Sequence, residues 1–205
     1  MKKSYSALDV LHNKIYGNNQ KSIFHSFFSS KRYFTLKLPY YQYLRGQIFI
    51  EDIKDNYASE VPFTFDIAHF VLMLYMDFLQ QIKKGVGNED VAAFLIHGMK
   101  SFFPEKDFKK RVFNQVNNTL FQFQEVEEEG EEDDNEKYAY IYMRVKEKLI
   151  LRGEVLLYDL SPYLGELSIT VEHLISIIYL DFIKNIQVSG NTATIQENIV
   201  SKLKN

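Results

Sequence analysis

HFVLMLYMDFLQQI, residues 69–82, returns as HLISIIYLDFIKNI at residues 173–186. Aligned without a gap, the two share His69/His173, Tyr75/Tyr179, Asp77/Asp181, Phe78/Phe182 and Ile82/Ile186, and every apolar position but one is matched by another apolar residue. In the second copy Val171, Leu174, Ile175, Ile178 and Phe182 recur at spacings of three and four, which predicts an amphipathic helix that Thr170 can cap. Ile177, Tyr179 and Leu180 add apolar surface on other sides. Such a helix is covered on more than one face.

The likeness extends upstream, where RGQIFIEDI at 45–53 matches RGEVLLYDL at 152–160. Two copies are too few for a stacked solenoid and fit a duplicated small unit instead. In the C-terminal copy, residues 138–151 (YAYIYMRVKEKLIL) read as a basic helix, EVLLYDL as a short strand ended by Ser161-Pro162, and IQVSGNTATIQ as a hairpin about Ser189-Gly190-Asn191. Helix, strand, helix, hairpin is the order of a winged helix. In the N-terminal part RYFTLKL alternates like a strand, while SALDVLHNKIYG and KSIFHSFFSS look helical. Gly85 ends one helix, Asn88 caps another, and PEKDFKKRVFNQVNNTLFQFQ reads as amphipathic with Pro104 in its first turn.

Between the copies runs EVEEEGEEDDNE, residues 125–136, with nine acids and no base. The net charge of −3 therefore conceals a remainder with 24 basic against 18 acidic side chains. A block of like charge repels itself and is expected to stay a solvated tether. The fold expected is mostly α (α+β): two related winged-helix-like units, an N-terminal domain at 1–124 and a C-terminal domain at 138–205, joined by an acidic linker at 125–137.

Composition narrows the chemistry. The 205 residues include 14 Tyr and 17 Phe and no Cys, so thiolate metal sites, disulfides and a Cys nucleophile are excluded and a reducing, cytoplasmic setting is expected. No run of apolar residues is long enough for a membrane span. The five histidines, at 12, 25, 69, 97 and 173, have no His partner at i+4 and no zinc-helix context, so His69 and His173 read as packed or capping rings. Asp77 and Asp181 recur with the helix and have no second carboxylate at a spacing for acid–base work. Gly85-Val86-Gly87 lacks the third glycine of a dinucleotide loop, and nucleophile-elbow and Walker patterns are absent. No enzyme and no cofactor is expected. One stretch invites a ligand: RYFTLKLPYYQYLRG interleaves aromatics with basic residues, and Lys31, Arg32, Lys37 and Arg45 are candidates for nucleic-acid contact.

Residues 143–195 resemble the C-terminal domain of the ScpA-type kleisin, the bridging subunit of bacterial condensin, through MRVKEKL, EVLLYDL, ITVEHLISIIYLDFIKNIQV and ATI. LDVL at 8–11, IFIEDI at 48–53 and DIAHFVLM at 66–73 are similar, more faintly, to that family's N-terminal half. The resemblance implies a non-enzymatic adaptor in chromosome segregation whose ends grip an SMC-type ATPase. On this reading Tyr163, Leu164, Leu167, Tyr179 and Leu180 form a partner-binding surface. The alternative is a tandem winged-helix regulator that binds DNA.

Overall fold

The computed structural model describes residues 31–104, 109–117, 120–127 and 137–204, with 109–117 and 120–127 as backbone. It is mostly helical. Strand β1 (Lys31–Pro39) leads into α1 (Tyr40–Asn56), α2 (Ile67–Lys83) and α3 (Asn88–Phe102). A separate antiparallel pair follows, β2 (Lys109–Asn117) with β3 (Leu120–Glu127). Then β4 (Tyr138–Lys146), α4 (Glu147–Leu164), α5 (Val171–Ser189) and α6 (Ala193–Leu203) repeat the opening order. The duplicated unit is thus β-α-α-α, occurring at 31–102 and 138–203.

The two units are halves of one core. β1 pairs antiparallel with β4, and the central residues of these nine-residue strands, Thr35 and Tyr142, face each other. An axis through that pair relates one unit to the other. α2 packs on α5, and one continuous apolar cluster draws residues from both units. Position 138 begins the second repeat, and among the described residues the apolar cluster runs across both units. Glu125, Val126 and Glu127 of the acidic run belong to β3. The remainder of that run, and the helical expectations before residue 31, fall outside the described residues.

Reciprocal contacts mark the pseudo-twofold. The Tyr75 hydroxyl donates to the Leu149 carbonyl of α4 at 2.8 Å, and the Tyr179 hydroxyl donates to the Gln42 carbonyl of α1 at 2.9 Å. Each phenol passes over a glycine on the helix it reaches. A Cβ on Gly153 would lie 2.4 Å from the Tyr75 oxygen, and one on Gly46 would lie 2.1 Å from that of Tyr179. This is why both copies carry Arg-Gly: only a bare backbone lets the tyrosine of the opposite unit reach the first turn of the helix.

Several expected elements are corrected. IFIEDI and EVLLYDL are helical, because over a longer window Gly46, Phe49, Ile50 and Ile53, and likewise Ile150, Gly153, Leu157, Leu160 and Leu164, fall on one buried face at spacings of three and four. The hairpin about Gly190 is a helix–turn–helix. Gly190, at φ 79°, ends α5 as Gly85, at φ 97°, ends the corresponding helix of the first unit, and α6 starts directly after Thr192. The units therefore lack the strand and wing of a winged helix. YAYIYMRVK is a strand, with Ile141, Met143 and Val145 buried and the residues between them turned outward. The segment read as a helix after Pro104 contributes β2 and β3. The strand expected at RYFTLKL is β1, and the Thr170 cap is present, accepting from the His173 N–H at 3.2 Å.

Candidate binding surface

β1 and β4 bury one face of their ribbon and expose the other. Phe34, Leu36, Leu38, Ile141, Met143 and Val145 point into the core, as the period of two requires. The opposite face carries Lys31, Tyr33, Thr35 and Lys37 from β1 and Tyr138, Tyr140, Tyr142, Arg144 and Lys146 from β4. Four of these side chains are cationic and none is acidic. Tyr33 is 78% exposed and Tyr142 69% exposed, far above what a packed aromatic retains. The Arg144 guanidinium lies 5.5 Å from the Tyr33 ring centroid, and the Lys37 ammonium lies 4.0 Å from that of Tyr138. These cation–π contacts hold charge and ring side by side.

Of the four basic residues singled out in the sequence, the ribbon face takes Lys31 and Lys37. Arg32 has the opposite parity and pairs at 2.6 Å with Glu147, which is fully buried at the start of α4. Arg45 lies on α1 with its guanidinium beside the Tyr41 hydroxyl. Tyr140, Tyr142, Arg144 and Lys146 escape a reading of residues 138–151 as helix, although tyrosine at every second position was the available signal.

The expected partner surface is dispersed. Tyr179 and Leu180 are core residues at 0% and 1% exposure, which corrects their placement on an outer face. α5 contacts α1, α2, α3, α4 and β1, so its surplus apolar residues meet neighbours rather than solvent. Leu164 is also buried, Leu167 packs partly against the core, and Tyr163 remains exposed.

A cleft of about 530 Å³ opens where the edge of β1 meets the end of α3 and the first turn of α5. Thr35, Lys37 and Tyr138 connect it to the ribbon face, and His173 and Ser176 lie on its α5 side. The Thr170 backbone N–H donates to His173 Nδ1 at 3.4 Å, so the neutral ring carries its proton on Nε2. Burial holds that imidazole below its usual pKa. The corresponding His69 caps α2 on the surface, its Nδ1 2.8 Å from Asp66 Oδ1. Both histidines are thus capping rings. Asp77 pairs with Lys202 at 2.7 Å and Asp181 accepts from Asn185 at 3.1 Å, neither facing a second carboxylate in these contacts. Among the described residues no group of three or more His, Asp or Glu is placed to hold a metal ion, and no helix is long and apolar enough to cross a membrane.

Comparison of the chain with family models, with curated proteins and with solved structures returned no match.

Proposed function

We propose that this protein is a non-enzymatic binding module that holds a flexible polyanion, a single-stranded nucleic acid, across the outer face of the β1–β4 ribbon. The observation that carries this reading is the composition of that face: exposed tyrosines alternate with Lys31, Lys37, Arg144 and Lys146, without an acidic side chain. Aromatic faces stack on bases of any sequence, while ammonium and guanidinium groups neutralise the backbone between them. Nine residues of strand span roughly 30 Å, enough for a site of four nucleotides or more.

The test is fluorescence anisotropy with labelled single-stranded DNA and RNA oligonucleotides over a salt series. Four cations predict a log–log salt slope of about −2 to −3. Tyr142→Ala should weaken binding about tenfold and Arg144→Glu more, with thermal melting unchanged. Absence of binding at low salt, or binding indifferent to both substitutions, overturns the reading.

A second reading, an adaptor that docks a protein, is favoured by α1, where Tyr41, Leu44 and Ile48 form an exposed apolar stripe at spacings of three and four. In its kleisin-like form the partner is an SMC-type ATPase. Ile48→Glu separates the two readings, because it should abolish protein capture and leave oligonucleotide affinity intact.

A further inference from the structure

We infer that the groove between α2, the start of α4 and the end of α6 docks an acidic amphipathic helix of a partner protein. The groove encloses about 670 Å³, and Met73, Met76, Leu79 and Leu149 form its apolar strip. Met76 is half exposed. From Met73 to Lys83 the groove follows α2 for about 15 Å, room for roughly three turns of a helix laid alongside. Methionine makes such a surface adaptable, because its unbranched thioether re-packs against differently shaped partners.

Charge fixes the sign of the occupant. Lys83 and Lys84 at the end of α2, Arg152 on α4 and Lys202 on α6 flank the strip, and the one acid beside them, Asp77, is taken by Lys202 at 2.7 Å. Among the described residues Lys83, Lys84 and Arg152 have no acidic partner, so three cations remain to be matched. The dipole of α2 favours the two lysines at its C-terminal end, whereas Arg152, in the second turn of α4, has no such support. Among the described residues no aromatic ring lines the groove, so it gives bases nothing to stack on, which favours polypeptide over nucleic acid. The other half of the molecule shows the body that suits such a face. Ile177, the counterpart of Met73, is covered by α3, where Gly98 leaves no room for a side chain between the two helices. α6 presents Lys202 to the groove instead and leaves Met76 open. A helix bearing Asp or Glu beside its apolar face satisfies both the strip and the cations. The groove shares no residue with the ribbon face or with the α1 stripe.

The experiment is selection of a phage-displayed library of peptide helices of about four turns on the full chain, followed by fluorescence anisotropy with the enriched peptides. Selection should return helices with apolar residues at spacings of three and four flanked by Asp or Glu. Met76→Glu and Arg152→Gln should each weaken such a peptide about tenfold or more. Arg144→Glu on the ribbon and Ile48→Glu on α1 should leave its affinity unchanged, which separates this groove from both other surfaces. If Arg152→Gln lowers the melting temperature, Lys84→Gln, at an exposed position, replaces it. An empty selection, enrichment of basic or neutral peptides, or acidic peptides that bind Met76→Glu and Lys84→Gln as tightly as the wild type overturns the inference. Self-association of the chain that Met76→Glu abolishes also overturns it, because the groove then belongs to a second copy.

Discussion

The third helices of the two repeats, α3 and α6, occupy corresponding places and do different work. α3 lies against α4 and α5 and comes so close that a Cβ on Gly98 would sit 2.3 Å from the Ile177 side chain. α6 buries Ile199 and Val200 in the core and is tied at its borders by polar contacts: Asn56 donates to Gln196 at 2.8 Å, Asn191 before it donates to Asp52 at 2.7 Å, Lys202 meets Asp77 and Lys204 meets Glu60. The consequence falls on the repeated helices. α5 is enclosed, whereas α2 keeps an open side, and the equivalent residues Leu180 and Met76 are 1% and 50% exposed. Near-identical sequence therefore does not secure equal burial; the neighbour that covers a helix decides which of its apolar residues are core.

Exchange of a charge into those two positions gives the largest expected difference. Leu180→Glu should cost about 3–5 kcal/mol or more and unfold the protein, because it buries an unpaired carboxylate. Met76→Glu should stay within about 0.5 kcal/mol in urea unfolding. Equal effects would mean that α2 and α5 are equally covered. Next come the reciprocal glycines. Gly46→Ala and Gly153→Ala should each destabilise by about 1–3 kcal/mol, since the added methyl displaces a tyrosine of the other repeat. A loss at one site alone would break the pseudo-twofold.

The tyrosines themselves carry a smaller effect. Tyr75→Phe and Tyr179→Phe should each cost about 1 kcal/mol through the lost hydrogen bond. Burial, reinforced by Glu154 at Tyr75 and by Tyr43 at Tyr179, drives both phenols well above their ordinary pKa of 10.0. A raised folded pKa means that their contribution is complete below pH 10 and is lost as pH rises beyond it. Absorbance at 295 nm should show both phenolates appearing only with alkaline unfolding.

The helix caps separate the repeats by pH. Burial alone would raise the Asp66 carboxyl, but the His69 N–H and ring outweigh it and hold the group below its ordinary value of 3.8. That cap is intact above pH 3.8 and fails as pH falls through the lower folded value. At the other repeat, burial depresses His173 below 6.5, so the neutral ring's contribution is complete above pH 6.5 and declines as pH falls toward the folded pKa. Asp66→Ala and Thr170→Ala should each cost about 1 kcal/mol at neutral pH. Chemical denaturation between pH 6.5 and 5 should weaken the wild type, while His173→Gln removes that portion of the slope.

What the sequence revealed followed local, short-range rules. The repeat, the Thr170 cap, the Gly85 stop and β1 are written in spacing and in turn chemistry. EVLLYDL fits a strand because seven apolar-rich residues suit either period; the helical period emerges only over the longer window that includes Gly153, whose bare backbone admits Tyr75 of the opposite unit. The ribbon was hidden because β1 and β4 find each other across about a hundred residues, a separation at which single-sequence pattern carries no pairing information. Lys31 and Lys37 stood out by charge. Their strand partners Tyr140 and Tyr142 did not, since their exposure follows from that pairing.

The crossing of β1 to β4 also sets a timetable for synthesis. At about 5–20 residues per second, β1 leaves the ribosome roughly 5–20 s before its partner exists. For that interval the apolar edge formed by Phe34, Leu36 and Leu38 has only solvent or another nascent chain to meet. The cations on and beside that edge, Lys31, Arg32 and Lys37, then act as gatekeepers against intermolecular pairing. Neutralising Lys31 and Lys37, with Arg32 kept because it pairs with the buried Glu147, should leave the refolded protein's sheet intact and lower its soluble yield during expression.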